Sequence, residues 1–565
     1  MRLINRKPYI CHVLTILAYN SSSRGAHKKT SRIYQDLKSA RGQAPIGSLD
    51  NKIGQLRSLS IMDRVREEDS LDRTRKPHIG VVGAGLAGLR GADVLLSHGF
   101  RVTILEARNR VGGRMYQETL SNGHIIDMGP NWIHGTKENP MLELAAETDT
   151  AVSNGEENTS CVFDEDGQLL PLKDGEMFST IMWDIVGEAF KYSNQSGSEI
   201  DVHRSLRDYF EEQAQVKFPD TEDDYERKRQ LLLQTAELWG SFIGSPVEKQ
   251  SLKFLWLEEC IDGENPFCAG TYSKILEKIA HPALNGASIQ FNTRVTEIQG
   301  KSTTANNTVV VKTADGRRLE FDELLLTTPL GWLKQNTHVF RPPLPDRLTR
   351  AINSIGYGCL EKVYISFPKS FWLTPDEKGQ IMQGFYQWLS PKYASDTNPN
   401  RWTQELVELG SLDGPSAHPT LLFYIYGEQS KHLTSQVRAR STKKEKDEFL
   451  ISYFKPYYSR LPSYKEDDPD CQPVDCVSTD WLGDDLAGNG SYCNFPVGLE
   501  EGDEDLLTMR AGVPSEGIWL AGEHTAPFVA VGTATGAYWS GEDVGRRIVK
   551  SYGKYNKVDE GPETA

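Results

Sequence analysis

The sequence predicts an α/β fold on three observations: an apolar strand entering a glycine-rich turn, a helix with apolar residues at helical spacing, and a second apolar strand ending in an acid. His78-Ile-Gly-Val-Val82 is the first strand and Gly83-Ala84-Gly85-Leu86-Ala87-Gly88 the turn. Leu86, Leu89, Ala92, Leu95 and Leu96 form the buried stripe of the helix, which Gly99 stops. Arg101-Val-Thr-Ile-Leu105 is the second strand, with Glu106 at its end. The unit from His78 to Glu106 spans 29 residues. A nucleotide-binding βαβ unit needs about 30.

Each part of that unit has a physical task. Gly83 permits the tight turn, Gly85 lets backbone approach a pyrophosphate, and Gly88 lets helix and strand pack closely. The helix N-terminus offers N–H groups and the positive end of its dipole to the phosphates. Glu106 can accept both ribose hydroxyls and would repel a 2′-phosphate. A Rossmann-like dinucleotide site is therefore expected, with NAD and FAD equally compatible with the glycine pattern.

The chain has 565 residues, about three or four domain-sized units by length. Apolar residues make up 38% and charged residues 25%, which excludes disorder over most of the length. A net charge of −15 disfavours a general nucleic-acid partner. None of the eight cysteines forms a CxxC pair. Cys471 and Cys476 are the closest two, and their neighbourhood supplies no further zinc ligands, so no metal site is expected. No apolar run approaches the ~18 residues of a membrane-spanning helix, so stable membrane insertion is not expected.

Residues 1–61 hold eleven Lys/Arg against two acids and are rich in serine. That composition suits a mitochondrial transit peptide, and a short apolar run after Lys7 is a weaker secretory signal. Alternatively, Met62 is the start of the protein. Residues 1–76 are expected to be a disordered or targeting extension outside the fold, and 554–565 a C-terminal tail. The final Glu-Thr-Ala565 lacks a Ser-Lys-Leu peroxisomal address. The expected location is the cytoplasm, or the mitochondrion if the leader is real.

After the ribose acid comes Arg108-Asn-Arg110-Val-Gly112-Gly113-Arg114, and this R-x-G-G-R run resembles the flavin-containing amine oxidases. In it Arg110 and Arg114 can neutralise phosphate or flavin oxygens. The resemblance continues along nearly all of residues 78–550. Asp127-Met-Gly129-Pro130-Asn131-Trp132-Ile-His134-Gly135 is similar to the family segment beneath the flavin ring, in the W-I-H-G form of polyamine oxidases. Arg294-Val295-Thr296 resembles the strand that meets the adenine. Ile355-Gly-Tyr-Gly-Cys-Leu-Glu-Lys362-Val resembles the stretch with the active-site lysine. Trp481-Leu-Gly-Asp484 and Gly490-Ser491-Tyr492 look like the wall opposite the flavin. Leu520-Ala-Gly-Glu523-His-Thr525 and Gly532-Thr533-Ala534 match the ribityl contact and the closing helix.

The resemblance implies a discontinuous FAD-binding domain from 77–135, 270–345 and 477–553, and an α+β substrate domain from 136–269 and 346–476. It implies FAD contacts at Gly83, Gly85, Ala87, Gly88, Glu106, Arg108 and Arg114. Further contacts fall at Gly129, Pro130, Asn131, Trp132, Val295 and Trp481, and near the C-terminus at Glu523, Gly532, Thr533 and Ala534. Lys362 would hold a water near flavin N5 and assist reoxidation by oxygen. His134 would position a substrate nitrogen. Tyr492 and Phe528 would stand over the flavin face as an aromatic pair. Ser491 occupies the place where monoamine oxidases carry their flavin-linking cysteine, so the FAD is expected to be non-covalent.

Trp256, Glu258 and Glu259 open an acidic stretch reaching Asp262 and Glu264, suited to attracting a polycation. Together these features point to oxidation of spermine, spermidine or their acetylated forms with O2, giving an aldehyde, a shorter amine and H2O2. A histone-lysine demethylase-like enzyme, another amine or amino-acid oxidase, and a catalytically silent FAD scaffold stay open as alternatives. The partners are then a small amine and O2. Nothing in the sequence sets the oligomeric state.

Overall fold

The computed structural model describes residues 75–154, 159–375, 379 and 381–554. The extension expected over 1–76 lies outside the described residues up to position 74, as does the tail from position 555. Among the described residues no helix is long and apolar enough to cross a membrane.

The strand His78–Val82 is the centre of a five-stranded parallel sheet. Arg101–Leu105 and then Ser288–Gln290 lie on one side, Glu323–Leu326 and then Ile518–Leu520 on the other. A parallel sheet needs crossover connections and cover on both faces, so its three inner strands are largely apolar. Val81, Ile104 and Leu325 are accordingly buried in one core cluster, Val82, Leu105 and Leu326 in another.

The helix Leu86–Ser97 packs against Ser273–Gly286 and the last helix, Ala534–Ser551. Small residues set this approach. A Cβ on Gly541 would stand 2.1 Å from the Ala87 carbonyl oxygen, and one on Gly91 would stand 3.2 Å from that of Gly541. Gly85 at one helix start and Thr533 at the other face a common cavity.

A six-stranded sheet faces that cavity from the opposite side. Its order is Asp475–Ser478, Leu360–Ser366, Thr420–Tyr426, Gln404–Glu408, Gly384–Trp388 and Thr159–Phe163, antiparallel except for the last pair. Alternation along the strands divides its two faces. Val363, Ile365, Phe423 and Ile425 turn to an aromatic core containing Tyr453 and Phe454 of the helix Lys443–Tyr458, each contributing roughly 1.5–3 kcal/mol on burial. Leu360, Lys362, Tyr424 and Phe385 turn to the cavity. The long helix Leu172–Ser196 and the short helix Trp239–Ile243 complete its wall.

Candidate active site

The cavity has a volume of about 380 Å³. At one end the backbone turns at Gly83 with φ +104°, a conformation in which a side chain is strained. A Cβ on Gly88 would lie 2.1 Å from the Gly83 carbonyl oxygen, so this glycine is required by helix–strand contact. Gly85 differs: the nearest heavy atom to an added Cβ is the Gly112 carbonyl oxygen at 4.0 Å. The glycine faces open space above the N-terminus of Leu86–Ser97, which has no side-chain cap. First-turn N–H groups there lack intrahelical acceptors and suit an anion.

Glu106 is 6% exposed and lines the cavity. Its carboxylate accepts from the backbone N–H groups of Ala84 (2.7 Å) and Arg108 (2.7 Å), which fixes its direction. Arg108 donates to Asp484 at 2.7 Å, tying the loop to the segment after Trp481. Arg114 donates to the Ser491 carbonyl at 2.6 Å and to Glu523 at 3.1 Å. The Arg114 guanidinium, then His524 and the Cys493 side chain, hold the Glu523 carboxyl below the ordinary range despite its burial. Arg110 is directed elsewhere. Its guanidinium bonds the Val111 and Gly113 carbonyls and lies 4.1 Å from the Tyr116 ring centre, bracing the loop rather than lining the cavity.

Val295, Trp481, Gly532, Thr533 and Ala534 line the same cavity. The Thr533 hydroxyl accepts from Gly536 N–H at 2.9 Å and starts the last helix. The Thr328 hydroxyl lines the cavity, buried and without a partner among the described residues. An open glycine approach, two helix N-termini, a ribose-type acid and an orphaned hydroxyl fit an extended dinucleotide. Gly88 and Ala87 divide the work: Ala87 lines the cavity, whereas Gly88 serves the contact beneath it.

Of the segment from Asp127 to His134, the residues Gly129, Pro130, Asn131, Trp132 and His134 line the cavity. The Asp127 carboxylate accepts from Tyr272 N–H at 3.0 Å and from Gln117 at 2.7 Å. Asn131 donates to the Tyr364 hydroxyl (3.2 Å) and accepts from the Tyr424 hydroxyl (3.0 Å). Trp132 donates to the Tyr424 hydroxyl at 3.1 Å. These bonds fasten the segment to the six-stranded sheet. Lys362, 5% exposed on an inner strand, donates to the carbonyl oxygens of Asp127 (3.3 Å) and Gly129. Burial drives the lysine and Asp127 each towards its neutral form, against their mutual attraction.

His134 and Tyr492 line the cavity, with the Tyr492 hydroxyl donating to the Phe242 carbonyl at 2.5 Å. Burial holds the His134 pKa down to about 4, so the ring is neutral. Glu258 also lines the cavity, and burial pushes its carboxyl up to about 8. Three expected substrate residues are not brought there. Phe528 packs edge-on against Trp256, ring centres 5.4 Å apart, and carries the Arg510 guanidinium at 5.1 Å. Arg510 also donates to the Thr525 (3.0 Å) and Ala526 carbonyls, which pins this segment to the helix Gly502–Ala511 and keeps Phe528 off the cavity. Trp256 and Glu259 likewise do not line it. Tyr492 therefore has no ring partner in Phe528.

The structure adds residues that sequence reasoning missed. Trp183 of the long helix, Ser241 and Phe242 of the short helix, and Phe385, Glu405 and Tyr424 of the sheet all face the cavity. They come from separate elements without a local motif; strand alternation from Lys362 would have oriented only their own strands.

A parallel sheet with a glycine turn, two helix ends and a second sheet facing one cavity define a dinucleotide-binding protein. The chain belongs to the flavin containing amine oxidoreductase family, whose model matches residues 86–549. Polyamine oxidase 2 of Arabidopsis thaliana is 25% identical over 498 residues, 85% of this chain and 91% of that protein. Polyamine oxidase 4 of Oryza sativa subsp. japonica is 26% identical over 476 residues, 82% of this chain and 87% of that one. Among solved structures, a putrescine oxidase redesigned in its cofactor binding has a TM-score of 0.61 at 17% identity, covering 84% of this chain and 99% of that chain. That likeness is one of fold. The protein is a flavin-dependent amine oxidoreductase with FAD as its cofactor and an amine as its substrate.

Proposed function

We propose that the protein oxidises polyamines, namely spermine, spermidine or their acetylated forms, with O2 as acceptor. The reading rests on one observation: a single cavity joins the dinucleotide turn to a pocket bearing a neutral His134, the Glu258 carboxyl and an aromatic wall. The names of the two plant relatives support it.

Gly83, Gly85 and Glu106 would hold the adenosine half of FAD, and Arg114, Glu523 and Thr533 the flavin half. The chemistry supplied by bound FAD is acceptance of hydride from the carbon beside nitrogen and delivery of both electrons to O2, giving H2O2. Only a neutral amine has the lone pair that lets this hydride leave. His134, held neutral by burial, can hydrogen-bond such an amine without adding a competing positive charge. Glu258 meets a remote ammonium, which favours its ionised form. The aromatic wall excludes water until the substrate imine departs, adds water and splits into an aldehyde and a shorter amine. Lys362, fixed on the Gly129 carbonyl, positions a water for the return of electrons to oxygen.

The FAD is non-covalent in this reading. Ser491 Oγ accepts from Leu360 N–H at 3.2 Å where a linking cysteine would stand, and Cys493 does not line the cavity. Flavin freed by acid or urea denaturation is the expected result, and flavin retained by the polypeptide contradicts it. The proposed location is the cytoplasm, with the mitochondrion as the alternative if residues 1–61 direct import. An amine panel with peroxide readout and mass identification of products tests the substrate class. Spermine, spermidine or an acetyl derivative should head the panel; preference for an amino acid or a simple monoamine would overturn it.

A further inference from the structure

Across its cavity face the six-stranded sheet carries a row of four polar side chains. The register sets Lys362 beside Tyr424, Tyr424 beside Glu405, and Glu405 beside Gln387. Directly opposed residues project from the same face. Glu405 is 6% exposed and lines the cavity. The Ser241 hydroxyl donates to its Oε2, and among the described residues no donor reaches Oε1. Gln387 Oε1, next in the row, is buried and also lacks a donor.

No cation of the described chain offsets this carboxylate. Burial and the Ser241 hydroxyl are the influences on its ionisation. Lys362 sits at the other end of the row, beyond Tyr424, with its amino group committed to the Asp127 and Gly129 carbonyls. A buried carboxylate with one hydroxyl donor is costly to ionise unless a ligand brings the missing positive charge. The wall nearby is built for an aliphatic chain. Trp183 stands edge-on to Trp239 (5.8 Å) and Phe242 (5.1 Å), and all three line the cavity. A cation with several N–H donors, carried on a run of methylenes, complements this arrangement.

We propose that Glu405, held by Ser241, anchors a second ammonium of the amine substrate and makes the cavity selective for linear diamines and longer oligoamines over monoamines. This rests on the polyamine oxidase reading and adds to it a recognition residue distinct from His134 and Glu258.

The test is anaerobic binding calorimetry on the full FAD-loaded chain, with octamethylenediamine compared against octylamine. The wild type should bind the diamine more tightly by roughly tenfold or more, as a charge-assisted hydrogen bond provides. Glu405→Gln, which preserves size and a partner for Ser241, should keep its octylamine affinity and lose that preference. Glu405→Asp, which keeps the charge, should retain part of it. Equal binding of the two amines by the wild type, or a preference that survives in Glu405→Gln, would overturn the anchor; so would an equal loss for both amines. Flavin bleaching by spermine separates the two claims. Bleaching with an unaltered diamine preference in Glu405→Gln sinks the anchor alone. Diamine-selective binding without bleaching sinks the oxidase reading and leaves the anchor standing.

Discussion

Lys362 on the six-stranded sheet hydrogen-bonds the carbonyl oxygen of Gly129, five residues before His134. The contact joins the six-stranded sheet directly to the segment that carries Asn131, Trp132 and His134. An exposed lysine would be interchangeable with many residues. This one is 5% exposed and held by two carbonyls, an arrangement that surface solvation does not require.

Lys362→Met should therefore leave FAD bound while slowing turnover and reoxidation by roughly a hundredfold, the scale of a lost positioned proton-transfer or water-holding group. Stopped-flow measurement of the reductive and oxidative halves checks this. Unchanged rates would remove the lysine from the chemistry.

Gly85 and Gly88 should fail in different ways. Gly88→Ala forces a Cβ to 2.1 Å from the Gly83 carbonyl oxygen, so the apoprotein should lose about 1–3 kcal/mol and flavin with it. Gly85→Ala meets nothing nearer than 4.0 Å, so the apoprotein's Tm should hold. Its methyl instead occupies the approach to the phosphates, and flavin affinity should fall by roughly tenfold. Apoprotein melting and flavin titration distinguish the two; equal behaviour would contradict the division of labour.

Glu258 gives a pH signature. Burial pushes its carboxyl up to about 8, whereas an unfolded glutamate titrates near about 4. The folded chain holds this proton more tightly, so the group's contribution to stability is complete below the unfolded value. It is lost as pH rises through the folded value. Glu258→Gln cannot ionise. Its Tm should match the wild type's near pH ~4 and exceed it by roughly a few degrees near pH ~8. A difference independent of pH would show that Glu258 is not held protonated.

The dinucleotide half was legible because its chemistry needs contiguous residues: Gly83, Gly85, Gly88 and Glu106 lie on one βαβ unit. Lys362 and Glu523 were legible through motifs of the same local kind. The pocket's far wall was not. Trp183, Ser241, Glu405 and Tyr424 meet only because a helix, a short turn of helix and two strands pack together. Phe528 and Trp256 show the converse. Each sits near expected site residues in sequence, yet they pack on one another because Arg510 holds the intervening backbone.

In the proposed reaction, FAD in this cavity takes hydrogen from the carbon beside a polyamine nitrogen. Anaerobic mixing of the yellow protein with spermine or N-acetylspermine tests it most directly. Loss of the oxidised flavin absorbance within seconds to minutes, restored on admitting air with release of peroxide, is the predicted result. A flavin that stays oxidised with every polyamine offered would contradict the account.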